Sequence, residues 1–418
     1  MKSSQVYDIA VLGAGPAGSL AAIRAGAFNK KVILIERNNS IGRKMLLTGK
    51  GRCNLTNTAS LEAFVEKFGK QGNFLRSAFF AFSNCDLMQF LESNGLRLKI
   101  ERQGRVFPVT DSSCSVIDVL RKCLDDNKVE LLFNKRLLSV KRESDFFRLE
   151  LDDKASILSK KLILATGGVS YKKTGSSGDG LLIARKLGHS VIALSPALVP
   201  LKAGEEWIKE LQGVSLKNVS IAFGYGKKKI KSPVGEVMFT HFGISGPLVL
   251  DLSQTIVGIL KEHKELSLFI DLKPGLTDKQ LENRLLRDFS AKGNTKLKKI
   301  MIGYLPRRLS AVLIELSGIS PEITASQVTR EERQSIKNLL KAFALTIIRA
   351  LPIEEAMVTA GGIFAKEINP RTMESKIIRG LYFAGEIIEG AAASGGYNLQ
   401  QAFSTGYLAG EKAALCVE

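Results

Sequence analysis

The sequence predicts an α/β fold: a Rossmann-like dinucleotide-binding domain interrupted by an inserted β-barrel-like plus helical domain. Three observations carry that prediction. A Gly-x-Gly-x-x-Gly turn joins an apolar strand to a helix near the N-terminus. A second apolar strand follows and ends on a carboxylate. Close to the C-terminus, another apolar strand runs into glycines and then into a helix, and its ligand-facing texture places it in the same sheet.

The 418 residues are 45% hydrophobic and 24% charged, which excludes disordered or collagen-like chains and suits more than one domain. Lys and Arg number 60 against 41 Asp and Glu, a net charge of +19. Such a balance raises nucleic acid, anionic membranes and acidic ligands as partners, and is silent about fold. The five cysteines (Cys53, Cys85, Cys114, Cys123, Cys416) form no C-x-x-C pair, the pattern of reduced thiols in a cytoplasmic protein. The three histidines (His189, His241, His263) cannot build a His-rich metal site, so no metal is expected. No apolar run reaches the length of a membrane span. The Ile9–Phe28 stretch is broken by Gly-x-Gly-Pro and by Arg24, and reads as structure rather than as a signal peptide.

Each element then has a physical reason. Tyr7–Leu12 is a buried parallel strand, and it runs straight into Gly13-Ala14-Gly15-Pro16-Ala17-Gly18. Gly13 permits the tight turn, Gly15 lets backbone approach a pyrophosphate, and Gly18 lets the following helix pack on the strand. That helix presents free N–H groups and a positive dipole end to phosphates. Lys31–Ile35 is the second strand, and it ends on Glu36, about 20 residues beyond the glycines, where a carboxylate accepts ribose hydroxyls. A carboxylate there disfavours a 2′-phosphate. The other glycine patterns fail their tests. A P-loop would need glycine at Lys44 and Ser or Thr at Gly51, and a nucleophile elbow at Ser245 would need glycine at Pro247.

Further along, helices are expected at Phe74–Asn94, as a pair, and at Ser113–Asp125. Leu131–Val140 reads as a strand pair. Lys161–Thr166 is a buried strand ending at Gly167-Gly168, and Leu381–Ala384 is another, with Gly385-Glu386 at its tip. A last helix starts near Gly395-Gly396 and runs through Leu399 to Ala409. Between these parts, Leu216–Leu252 alternates in short β-like runs, while Thr277–Phe343 is helical, with caps at Thr277 and Thr329. The expected division is therefore 1–190 with 357–418 as the discontinuous cofactor domain. Residues 191–273 with 344–356 form a β-rich insert, and 274–343 a helical insert.

At this point the residues resemble the HI0933-like, or BaiN-type, family of FAD-dependent oxidoreductases, two-dinucleotide-binding-domain flavoproteins. The likeness is carried by Gly42-Arg43-Lys44-Met45 and by Thr48–Asn57 (TGKGRCNLTN). It continues through Arg105–Pro108, Ala165–Gly168, Thr174–Gly180, Pro196–Leu201 and Phe239–Pro247. Near the end it includes Thr359–Gly362, Met373–Lys376, Gly380–Glu386 and Gly395–Gln400. Two departures stand out: Lys172 replaces the usual proline after Ser-Tyr, and Glu389–Ser394 replaces a more acidic segment beside the expected flavin ring.

The resemblance implies non-covalent FAD, reached by the fingerprint Gly13–Gly18, by Glu36 and Arg37, and by a loop bringing Lys44, Gly51, Arg52, Cys53 and Asn54. Leu137, Ala165, Thr166, Gly167, Gly168, Gly385 and Glu386 complete that set, with Gly396, Tyr397, Asn398 and Leu399 opening the last helix toward the flavin. Lys44 and Arg52 are the cationic candidates, and the insert is expected to fold over the flavin. No second G-x-G-x-x-G occurs, so NADH or NADPH, if either is the reductant, binds transiently in the substrate cleft. Candidates for handling the substrate proton are His241, Tyr171 and Arg52, against the simpler reading of each as a packing or surface residue.

The first functional reading is an oxidoreductase passing hydride between flavin and a small organic molecule, by enone or carbonyl reduction or amine oxidation. The alternatives are an RNA-modifying flavoprotein and a non-catalytic flavin-binding electron relay. The basic run Lys227–Lys231 and the +6 segment Thr277–Arg308 speak for RNA, but neither interleaves stacking aromatics.

Overall fold

A computed structural model describes residues 6–226 and 228–415; Lys227 of the basic run and Cys416 lie outside the described residues. Two compact units result, one of Met1–Ala197 with Ile353–Glu418 and one of Leu198–Pro352.

The first unit is built on a seven-stranded sheet. Strand β1 (Val6–Leu12) lies parallel between β2 (Val32–Ile35) and the strand Ser156–Leu164. Every residue of β2 is buried, as a parallel strand covered on both faces requires, which is why its sequence is a continuous apolar run. Glu130–Leu132 extends the sheet beyond β2. On the opposite side, Ser156–Leu164 shares one edge between two neighbours. Its first half pairs antiparallel with Phe146–Leu151, and its second half pairs parallel with Leu381–Phe383. The C-terminal strand thus returns to the N-terminal sheet, as its glycine-tipped sequence predicts. Leu131–Val140 is not a strand pair. Glu130–Leu132 and Leu137–Glu143 occupy opposite edges of the sheet, because the latter instead forms a hairpin with Phe146–Leu151, whose Phe147, Leu149 and Leu151 alternate into the core.

Helix α1 (Pro16–Gly26) packs against the last helix, Tyr397–Leu415. Gly72–Ala81, Asn84–Ser93 and Ser113–Asp126 are the expected helices of this unit.

In the second unit, antiparallel strands run in the order Lys228–Lys231, Ser215–Tyr225, Gly235–Phe239, Gly243–Ser245, Leu201–Ala203, Phe343–Ala350, Leu266–Asp271. Ser215–Tyr225 also pairs with Leu266–Asp271, which closes the sheet into a barrel. Leu216, Ile221, Phe223, Leu268, Ile270 and Phe343 fill its core. The β-like reading of Leu216–Leu252 runs too far: Pro247–Leu260 is a helix, begun by proline in its first turn and carrying Leu248, Val249, Ile256 and Ile259 inward. Thr277 and Thr329 form capping boxes with Gln280 and Glu332 and start the helices Asp278–Ala291 and Arg330–Lys341.

Candidate active site

An open cleft of about 1310 Å³ lies in the first unit, where β1 and β2 end and α1 begins. Its floor is Gly13, Ala14, Gly15, Pro16 and Ala17. Gly15 is extended (φ −74°, ψ −177°) and the first turn of α1 carries neither an acidic residue nor a side-chain cap, so the helix dipole meets the cleft unscreened. A methyl group added at Gly15 would touch nothing within 4 Å, whereas one at Gly18 would lie 1.8 Å from the Gly13 carbonyl oxygen. Gly15 therefore leaves open the space a ligand would use, while Gly18 sits outside the lining and sets the helix–turn contact.

Glu36 is buried at the end of β2 and lines the cleft. One carboxylate oxygen accepts the Ala14 N–H (2.8 Å), and the other accepts the Asn38 N–H (2.9 Å) and its side-chain amide (2.6 Å). The turn and the carboxylate thus hold each other in place. Arg37 lines the same wall and pairs with Asp179 at 3.1 Å; Arg136 reaches that carboxylate with two bonds of 2.8 Å, which holds the Asp179 carboxyl below its usual range. Leu137 and Lys135 flank them.

Deeper in, Ala165, Thr166 and Gly167 line the cleft, and the Thr166 hydroxyl is a buried polar atom with no protein partner. That hydroxyl lies against Gly180, where an added methyl would come within 2.0 Å of it. Gly168 lies off the lining; a side chain there would strike the Thr359 hydroxyl at 2.3 Å. Lys44 and Glu386 both line the cleft and pair at 2.6 Å. Ser170 receives a bond from the Lys44 ammonium (2.8 Å) and donates one to Glu386 (3.1 Å), which also accepts the Thr359 N–H (2.8 Å). Four separate segments of the unit are thereby tied at one point. Gly385, Asn398 and Leu399 finish the lining, and the Asn398 amide clasps Ala392 through its N–H (2.9 Å) and carbonyl (3.0 Å).

Other residues expected at the cofactor stand back from the lining. Gly51, Arg52, Cys53 and Asn54 do not line the cleft. Arg52 is engaged by Glu101 (2.7 Å) and Asp111 (3.3 Å) and stacks over Phe107, so its guanidinium is held charged and away from proton transfer. Cys53 is fully buried with φ 61°, and burial pushes its thiol up to about 12. Asn54, with its amide oriented to donate to the Thr56 carbonyl (3.3 Å) and accept the Gly396 N–H (3.1 Å), ties that loop to the start of the last helix. Gly396 packs on the Thr56 backbone, and Tyr397 meets Phe64 edge-on at 4.9 Å.

Tyr171 is half-buried in a left-handed conformation (φ 51°) beside Ser170; burial and then Glu355 raise its phenol. His241 belongs to the second unit, exposed on the turn between Gly235–Phe239 and Gly243–Ser245. Sequence reading assigned no role to Asn38, Arg136, Asp179, Ser170 or Thr359. The motifs Thr174–Gly180 and Thr359–Gly362 contain two of them and could have pointed there, whereas Arg136 carries no local signal.

The lining fits an adenine dinucleotide: a glycine gap at a bare helix N-terminus, a fixed carboxylate at the end of the second strand, and cations on the walls.

Residues 7–412 match the family model described as the HI0933-like protein Rossmann domain. A protein of Clostridium scindens named 3-dehydro-bile acid delta(4,6)-reductase is 32% identical over 408 residues, covering 97% of this chain and 98% of its own. The ribosomal RNA dihydrouridine synthase of Escherichia coli is 30% identical over 407 residues, 96% of each chain. Among solved structures, an open flavocytochrome c3 fumarate reductase superposes with a TM-score of 0.54 at 18% identity, over 99% of this chain and 79% of its own.

Proposed function

The chain belongs to the HI0933-like family and is an FAD-dependent oxidoreductase, and from that premise we propose that it reduces a C=C bond conjugated with a carbonyl group. The observation that carries the proposal is the cleft of the first unit, whose carboxylate and bare helix end suit the cofactor such a reaction needs. The two relatives narrow the chemistry. A bile-acid Δ4,6-reductase and a dihydrouridine synthase both saturate a carbon–carbon double bond, the one in a steroid nucleus and the other in a uracil ring, where it is conjugated with a carbonyl.

When bound, FAD would supply the two-electron hydride chemistry that the side chains lack. The chain's own work is to bind and orient. Gly13–Ala17 and Thr166 would hold the pyrophosphate region, Glu36 the ribose, and Lys44 and Glu386 the polar wall beside it. Reduction of the double bond also needs a proton on the neighbouring carbon. Tyr171 is our candidate for its source, since its raised phenol stays protonated at neutral pH and Ser170 ties its segment to Lys44 and Glu386. NADH or NADPH is the reductant we assign, entering transiently because the chain carries one dinucleotide fingerprint.

Identities of 32% and 30% do not choose between a small enone and a uracil in RNA. The net charge of +19 does favour RNA, because neutralising phosphates is the main source of affinity for such a substrate. The experiment is anaerobic. The protein is bleached with NADH or NADPH, then mixed separately with a simple cyclic enone and with unmodified ribosomal RNA. Return of the oxidised flavin spectrum with RNA supports this reading, and return with the enone alone moves the substrate to the small-molecule class. A flavin reoxidised by neither, but reduced by an amine, would end the reductase proposal.

A further inference from the structure

Within the second unit the basic residues meet two different fates. On the helices, Lys296 and Lys298 both pair with Glu322, Arg284 and Arg287 lie 3.7 and 3.3 Å from Asp288, and Lys337 sits 2.9 Å from Glu282. Arg308 is spent on the backbone, donating to the carbonyls of Glu210 (3.2 Å) and Gln212 (2.8 Å). Four of the nine cations between Thr277 and Arg308 thus share two carboxylates, Asp288 and Glu322.

The hairpin of Ser215–Tyr225 and Lys228–Lys231 is different. Its second strand ends the sheet order and pairs with one neighbour, in the register Ala222 to Lys231 and Gly224 to Lys229. Lys228, Lys229 and Lys231 are exposed, as is Lys217 on the partner strand. Among the described residues none of these four lysines has a carboxylate within ion-pair distance. The alternation of a strand puts Lys229 and Lys231 on one face and Lys228 with half-buried Ile230 on the other, so the ribbon shows positive charge on both sides. Lysines on an edge strand can also serve only to discourage pairing with another chain. That role does not extend to Lys217, which lies where the partner strand pairs with Gly235–Phe239 instead.

We propose, on the RNA reading of the substrate, that this hairpin is an RNA-docking element that grips the phosphate backbone through Lys217, Lys228, Lys229 and Lys231. The chemistry is sequence-independent: unpaired ammonium groups displace the counterions of a polyanion, and affinity then falls steeply with salt. Its place in the activity is to raise the local concentration of the large substrate, while flavin reduction proceeds without it.

The test uses the full-length flavin-loaded protein and a labelled ribosomal RNA transcript, with binding measured across a range of salt. Lys229→Gln with Lys231→Gln is compared with Lys296→Gln and Lys298→Gln, which removes the same charge from the helices. The hairpin variant is expected to bind about tenfold or more weakly and to lose roughly 1.4–1.8 from the slope of log affinity against log salt, while the helical control keeps the wild-type slope. Bleaching by NADH or NADPH at the wild-type rate would show that both variants are folded. An unchanged slope in the hairpin variant, or an equal loss in the helical control, overturns the hairpin proposal even where the wild type binds RNA. A wild-type protein that holds no RNA at low salt instead sinks the RNA reading itself, and the hairpin proposal with it.

Discussion

Gly15 and Gly18 make opposite predictions from neighbouring positions. A methyl at Gly18 would stand 1.8 Å from the Gly13 carbonyl oxygen and 3.0 Å from its carbon, both backbone atoms that cannot swing aside. Overpacking of this kind costs about 1–3 kcal/mol, and a clash with backbone belongs at the upper end. Gly18→Ala should therefore destabilise the flavin-free protein by roughly 3 kcal/mol. Gly15 has an extended backbone that alanine accepts, and its methyl would meet no atom of the protein. Fewer unfolded states favour Gly15→Ala and a poorer cap opposes it, so stability should stay within about 1 kcal/mol of wild type. The same methyl would occupy cleft space beside the helix end, and an overpacking cost of about 1–3 kcal/mol there weakens FAD binding roughly 5- to 150-fold. Urea unfolding of the flavin-free variants and fluorescence titration with FAD separate the two effects. Equal destabilisation by both substitutions, or wild-type FAD affinity in Gly15→Ala, would refute the placement of the cofactor at this turn.

Three further outcomes are expected. Tyr171→Phe should slow substrate reduction by about 10²–10⁴ while leaving donor-driven flavin bleaching unchanged. Because the active form is the protonated phenol and its folded pKa is raised, wild-type activity should persist through neutral pH. It should fall only above the range of an ordinary tyrosine, a limb that Tyr171→Phe would lack in stopped-flow rates. Glu386→Ala strips the acceptor from the Thr359 N–H and the Ser170 hydroxyl, and should cost about 1–3 kcal/mol in urea unfolding. In thiol labelling of the native protein followed by peptide mass spectrometry, exposed Cys85 and Cys114 should react, and Cys53, buried and pushed up to about 12, should react only after unfolding.

The fold class was legible because its signals are local and mutually ordered. Strand, glycine turn, helix, strand and Glu36 follow one another within 31 positions of the described sheet, from Val6 to Glu36. Errors arose where partner choice is long-range. Leu131–Val140 contains two strand-like runs, and no local feature reveals that one joins β2 while the other folds back on Phe146–Leu151. Pro247–Leu260 looks β-like because its apolar residues are dense, and the proline that begins the helix was weighed only against a nucleophile elbow. At the cleft, glycine positions and Glu36 could be placed by motif. Arg136 could not, since its bonds to Asp179 join segments far apart in sequence. The same limit applies to charge: composition reports +19, but only ion-pair geometry shows which cations the fold neutralises.

The central claim is that a flavin bound in this cleft saturates a conjugated carbon–carbon double bond, and product analysis after a single anaerobic turnover tests it most directly. The reduced protein is mixed with unmodified ribosomal RNA or with a cyclic enone, and the digested nucleosides and the extracted enone are resolved by mass spectrometry. The account predicts a product carrying two added hydrogens, matched in amount to the flavin reoxidised, with uridine as the site in RNA. Flavin that stays reduced with both substrates, or that reoxidises while uridine and enone remain unchanged, would contradict it.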